Sequence, residues 1–262
     1  MTATAAELLR IEINGASATA DQLRAAAFGG FGHFTAMQVR ARRARGLQHH
    51  VARLDAANRE LFGVGIDEQV VRSHIRHALG DDIADASVRV HLYEGGDQPS
   101  LMVTVRPPGG MLPGPWRLRS VPYQRPVAHI KHAADFGQRY YQRLAHASGF
   151  DEALLTGQDA IISEGSITNV GCFDGRQVIW PAAPALSGIT MQLIEPALAG
   201  RGLPSARAHI RVRDLGSFAG VFVTNARGIA PVGQVDDLQL PVDQDLMQRL
   251  GQTYESLPWD SI

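Results

Sequence analysis

Two ionisable residues stand apart from other charges near the middle of the sequence. Lys131 lies in Val127-Ala-His-Ile-Lys-His-Ala-Ala-Asp-Phe-Gly, and Glu164 in Ile161-Ile-Ser-Glu-Gly-Ser-Ile-Thr-Asn-Val. Lys131 has no acid within three residues on either side and is flanked by His129, Ile130, His132 and Ala133. Such an amine can capture an aldehyde once desolvation or nearby cations favour its neutral form. Glu164 ends an apolar strand, where a carboxylate without a cation or donor is costly. One functional reading makes it the partner of a protonated ring nitrogen. Each residue also has a plainer reading, because most lysines are solvated and strand-end glutamates beside turns are commonly exposed.

Three further places could hold an anion. Residues 47–62 read as a helix with Leu47, Val51, Leu54, Asn58 and Leu61 on one face, interrupted only by Asn58. Arg53 sits about 100° around that helix from Leu54, so it either reaches into a cleft or snorkels over the stripe. Gly188-Ile189-Thr190 opens a helix after a proline-rich approach. Its free backbone N–H groups and the Thr190 hydroxyl suit a phosphate, although threonine also begins helices for capping alone. Thr224-Asn225-Ala226-Arg227-Gly228, between two short strands, offers a second turn whose backbone could face an anion. Gly30 and Gly32 have neither the spacing nor the following helix of a dinucleotide fingerprint.

The elements that must position these residues follow from periodicity. Strands are expected over 8–14, 34–40, 87–93 and 101–106, with helices at 21–27 (capped by Asp21), 47–62 and 67–79. Pro107-Pro-Gly-Gly-Met-Leu-Pro-Gly-Pro-Trp has no usable periodicity, which puts a connector at residues 107–125 between a small domain (1–106) and a larger one (126–262). The larger domain reads as a helix at 136–147, then strands at 152–156, 160–164, 169–173 and 177–180. A helix running to about Leu198, strands near 206–211, 221–224 and 229–232, and a helix at 243–254 complete it. Strands and helices mix without regular alternation, so the fold class is α+β.

Composition excludes several functions. Apolar residues make up 45% and charged ones 19%, and 25 basic side chains balance 26 acidic ones. No global field draws the chain to nucleic acid or an anionic membrane, and no apolar run is long enough to span a bilayer. The first ten residues lack the pattern of a signal peptide, and the single Cys172 reads as a core residue in a reducing compartment. A cytoplasmic protein is expected.

Taken together, these segments resemble the class IV, or fold-type IV, pyridoxal-phosphate enzymes, which include branched-chain and D-amino acid aminotransferases and aminodeoxychorismate lyases. The likeness runs from about Phe31 to Val235. His50-Val-Ala-Arg-Leu resembles the family's H-x-x-R-L helix, whose arginine grips the cofactor phosphate. Ile162-Ser-Glu-Gly-Ser-Ile-Thr-Asn-Val resembles the E-G-x-x-x-N signature, and Ser187-Gly-Ile-Thr and Phe222-Val-Thr-Asn-Ala resemble its two phosphate turns. The resemblance implies a two-domain, homodimeric enzyme with pyridoxal 5'-phosphate between its domains. It makes Lys131 the Schiff-base lysine and proton shuttle, and Glu164 the partner of the pyridine nitrogen. Arg53, Ile189, Thr190, Asn225 and Ala226 become the phosphate ligands. The implied reaction moves an amino group from a small amino acid or amine to a 2-oxo acid. Lyase chemistry, or phosphate-ligand binding without transamination, is the alternative. The chain departs from the family at Phe136, where many members have tyrosine, at Met191 for arginine, at Ala226 for threonine and at Phe34-Thr35-Ala36 for F-E-T/S. It also lacks the arginine that D-amino acid aminotransferases use for the substrate carboxylate.

Overall fold

In a computed structural model, which describes residues 7–262, the chain forms two compact units. The first six residues, part of the start read above as lacking a signal peptide, lie outside the described residues. One unit holds the chain through Gly109 together with Ile130–Ala134 and Pro258–Ile262; the other holds Gly110–His129 and Asp135–Leu257. Lys131 therefore groups with the N-terminal residues.

Alternation builds the sheet of the first unit. Met37, Val39, Val88, Val90, Val103 and Val105 are buried, whereas Arg89 and Arg106, on the opposite face, are exposed. The order is Asp260–Ser261, Arg43–Ala44, Gly32–Arg40, Ala86–Tyr93, Ser100–Arg106, Arg10–Ile13 and Ala16–Ser17. Every pairing is antiparallel. Helices Leu47–Phe62 and Glu68–Leu79 cover the apolar face with Leu47, Val51, Leu54, Val71, Ile75 and Leu79. Each such side chain contributes about 1.5–3 kcal/mol on burial. The helix Leu47–Phe62 starts after Gly46, which has no side chain to cap it. Asp260 takes that place: its Oδ2 accepts the Leu47 N–H at 2.9 Å. The first helix, Ala20–Gly29, is capped by Thr19 and not by the expected Asp21, because Thr19 and Gln22 form a reciprocal capping box.

The second unit is organised on a nine-stranded mixed sheet. Its path runs Ser205–Ala208, Val178–Pro181, Asn169–Phe173, Gly220–Asn225, Gly228–Val235, Trp116–Pro122, Glu152–Thr156 and Ile162–Gly165, with Leu238–Gln239 paired to Gly228–Val235. Trp116–Pro122 lies inside the stretch read above as a connector. It pairs parallel to strands on both sides, and Trp116, Leu118 and Val121 are buried. Helix Phe136–Ala147 returns the chain from this strand to its parallel neighbour Glu152–Thr156, with Ala145 packed on Val121, Ala153 and Leu155. Asn169–Phe173 and Val178–Pro181 form the expected hairpin across Asp174-Gly175, where Gly175 takes φ 96°. Buried Cys172, its thiol pushed up to about 12 by burial, belongs to the apolar core of this unit. Among the described residues, no helix is long and apolar enough to cross a membrane.

Candidate active site

In the first unit, residues 130–134 add a short pairing to the strand Gly32–Arg40, beside the end that Arg43–Ala44 does not reach. Phe34 N–H donates to the Lys131 carbonyl at 2.9 Å, and Ala133 N–H donates to the Gly32 carbonyl at 2.7 Å. These bonds fix the backbone of Lys131. Its Nζ lies 4.9 Å from the Phe34 ring centre, and the Arg89 guanidinium lies 4.3 Å from the same centre. One ring face attracts a cation electrostatically, so Phe34 gathers two positive groups on a mostly buried aromatic.

Arg53 does not snorkel away from the core. Its Nη2 donates to the Thr35 hydroxyl, which lies 2.6 Å from His50 Nδ1. A guanidinium only donates, so Thr35 Oγ1 accepts from Arg53 and keeps its proton and a second lone pair for the contact with His50 Nδ1. His50 is held neutral. Burial holds its pKa well below the usual histidine range, and the charges of Arg53, His49 and Lys131 push the same way. Arg53 and Lys131 thus share one electrostatic neighbour. Asn58, the polar interruption in the helix stripe, has a partner at each end of its carboxamide: Nδ2 donates to the Val64 carbonyl at 2.9 Å, and Oδ1 accepts from His33 Nε2 at 3.2 Å. Burial lowers the His33 pKa to about 4, against the pull of Asn58.

The second unit supplies carboxylates and backbone donors. Glu164, on the strand Ile162–Gly165, is buried rather than exposed. Arg125 Nε donates to its Oε1 at 3.0 Å, and Leu186 N–H donates to its Oε2 at 3.0 Å. Arg125 is itself buried, so the pair exchanges two desolvated charges for one another. Each carboxylate oxygen retains a lone pair for a further donor. Arg125 was missed in the sequence. Its signal is an arginine isolated in Pro122-Tyr-Gln-Arg-Pro, and 39 residues separate it from Glu164.

Helix Ile189–Ala199 begins at Gly188 with no side-chain cap, so no side chain caps the N–H groups of Ile189 and Thr190. A Cβ on Gly188 would meet Asn169 Oδ1 at 1.9 Å, and Asn169 Nδ2 donates to the Leu186 carbonyl at 2.7 Å. Glycine is required there for the carboxamide to lie under the helix start. Thr190 Oγ1 donates to the Asn225 carbonyl at 2.7 Å, joining the helix start to the second turn. Asn225 Oδ1 in turn accepts the Arg227 N–H at 2.8 Å, which shapes the turn around half-buried Ala226. The donor set fits a phosphate ester: uncapped helix amides, a glycine cradle and an adjoining turn.

Two of the departures take definite places. Phe136 is 80% exposed and stacks on Tyr140 at 6.1 Å between ring centres. Met191 packs on the apolar cluster that contains Trp180 and Phe222.

A search of curated proteins finds a similar "Probable branched-chain-amino-acid aminotransferase" of Rickettsia felis. It is 24% identical over 216 residues, which cover 74% of this chain and 73% of that protein. Among solved structures, a hypothetical aminotransferase from Mycobacterium tuberculosis in its PLP-bound form superposes with a TM-score of 0.78 at 21% identity, covering 91% of this chain and 92% of that one. The branched-chain aminotransferase of Thermoproteus uzoniensis with norvaline gives a TM-score of 0.84 at 17% identity, covering 95% and 94%. These likenesses show the fold. The family model described as "Amino-transferase class IV" matches residues 32–235, well over half of the sequence, and the chain belongs to that family.

Proposed function

We propose that the chain is a pyridoxal-5'-phosphate-dependent aminotransferase that takes an amino group from a small amino acid or amine and gives it to a 2-oxo acid. We further propose that it works as a homodimer in the cytoplasm. The observation that carries this best is the setting of Lys131, pinned through its backbone and flanked by aromatic and cationic neighbours within the family-matched segment. When bound, the cofactor supplies an aldehyde that combines with amines and a ring that accepts the electron pair left when a Cα–H bond breaks.

The remaining work falls to this chain. Lys131 Nζ would take the proton from the substrate carbon as base and, once protonated, give it back as acid in a 1,3-shift. Glu164 would hold the ring nitrogen through its carboxylate, which Arg125 orients. Arg53 and the backbone N–H groups at Ile189, Thr190, Asn225 and Ala226 would bind the phosphate, the arginine through charge-assisted bonds. Thr35 and the neutral His50 hold the Arg53 guanidinium in place.

The test is a donor–acceptor screen with both amino acid enantiomers, run on the protein and on Lys131→Ala. Turnover that depends on a 2-oxo acid, falling by about a thousandfold in the variant, is the expected result. Wild-type turnover in Lys131→Ala would remove the lysine from the mechanism. Pyruvate release from aminodeoxychorismate without any 2-oxo acid would replace transamination by lyase chemistry.

A further inference from the structure

Glu152 is fully buried at the start of the strand Glu152–Thr156, yet the chemistry above gives it no task. Its carboxylate reaches over the turn that follows Glu164. Oε1 accepts the Ile167 N–H at 2.6 Å and the Ser166 hydroxyl at 3.1 Å, while Oε2 accepts the Thr168 hydroxyl at 3.0 Å. Backbone bonds close the same turn: Gly165 N–H donates to the Thr168 carbonyl at 2.9 Å, and Ser166 N–H to the Ala153 carbonyl at 3.0 Å. A Cβ on Gly165 would meet Thr168 Oγ1 at 2.2 Å and Glu152 Oε1 at 2.8 Å. The glycine after Glu164 is thus the space into which the Glu152 carboxylate fits.

The residues flanking this turn are Glu164 before it and Asn169 after it. Both grip the same residue of the chain, on its two sides: Leu186 N–H donates to Glu164 Oε2 at 3.0 Å, and the Leu186 carbonyl accepts from Asn169 Nδ2 at 2.7 Å. Leu186 lies two residues before Gly188, where the uncapped helix begins. The distance between Glu164 and Asn169 is therefore set by the turn, and the turn is set by Glu152. A carboxylate suits the task because its four lone-pair sites receive three donors without competition.

We propose that Glu152 is a positioning residue, whose clamp on the Ser166–Thr168 turn holds Glu164 and the approach to the Gly188 helix start in the register that cofactor binding requires. The inference rests on the function proposed above. Burial, opposed by its three donors and reinforced by the nearby charge of Glu164, pushes the Glu152 carboxyl up to about 7. A neutral acid keeps the Ile167 and Ser166 bonds and turns the Thr168 hydroxyl into an acceptor, so the clamp does not need the charge.

That last point defines the experiment. Equilibrium dialysis of pyridoxal 5'-phosphate against the cofactor-free protein is compared for the natural chain, Glu152→Gln and Glu152→Ala, with unfolding midpoints measured alongside. Alanine leaves the Ile167 N–H and the Ser166 and Thr168 hydroxyls without their shared acceptor and should weaken cofactor binding by about tenfold or more. Glutamine, which preserves the Oε1 acceptor, should restore binding to within about threefold. Glu152→Ala that folds and binds the cofactor like the natural chain overturns the proposal, as does Glu152→Gln failing alongside alanine. If the alanine variant does not fold, Ser166→Ala and Thr168→Val remove clamp donors singly, and unchanged binding in both overturns it equally. A natural chain that neither binds the cofactor nor transaminates would sink the function itself. A natural chain that does both beside an indifferent Glu152→Ala sinks only the clamp.

Discussion

The two units bury titratable groups of opposite character. In the first, His33 and His50 sit in the core near Arg53 and Lys131 and are held neutral, with pKa values pushed down by burial. His91, on the other face of the same sheet, is lowered to about 4 by burial and by Arg89 and His33. In the second, Glu152 is raised to about 7 beside Glu164. The first unit holds its buried histidines neutral, whereas the second, where Glu164 is paired with buried Arg125, favours a proton on Glu152.

The largest test of this contrast is pH. A histidine whose folded pKa lies below its unfolded value loses its stabilising contribution as pH falls from about 6.5 toward 4. For His33 that loss is roughly 3 kcal/mol, from a shift to about 4. A carboxyl whose folded pKa is raised behaves in the opposite way. Glu152 destabilises the fold as pH rises from about 4.5 to 7, again by roughly 3 kcal/mol. Hydrogen exchange resolved by residue, corrected for intrinsic rates, should show protection falling in Gly32–Arg40 and rising in Glu152–Thr156 between pH 7.5 and 4.5. Equal shifts in both units would break the contrast.

A smaller effect sharpens the first unit. Thr35→Val removes the hydroxyl between Arg53 and His50, leaving a buried ring nitrogen unpaired. Unfolding in urea should show a loss of about 1–3 kcal/mol, and cofactor affinity should fall with it. Retained affinity in a destabilised variant would mean that Arg53 is held by other groups. The smallest expected change is at Phe136. Exposed and stacked only on Tyr140, it should tolerate Phe136→Ala within about 0.5 kcal/mol. A large loss of stability would show that its ring is covered in the working enzyme.

These contrasts were partly legible in the sequence. The helices Leu47–Phe62 and Phe136–Ala147 and the strand Asn169–Phe173 were readable to the residue, because their apolar spacing and their Gly stops agree. Trp116–Pro122 was not, because it alternates over only Trp-Arg-Leu-Arg and follows directly on a run of prolines and glycines. In the site, Lys131, Arg53 and Glu164 stood out as isolated charges near apolar patterns. Arg125 and Glu152 did not, since their partners lie on other strands and only the sheet's register brings them together. Glu152 read as an ordinary strand start.

The cap on the helix that carries Arg53 comes from Asp260, at the far end of the chain. Lys131 likewise enters the first unit only after the chain has begun its second sheet. Protein synthesis is vectorial, so a nascent chain of residues 1–109 carries an uncapped helix and an open strand edge at Gly32–Phe34. The first unit is completed only after residues of the second have been made. A loss of Pro258–Ile262 would be felt some 200 positions upstream, in the grip of Arg53.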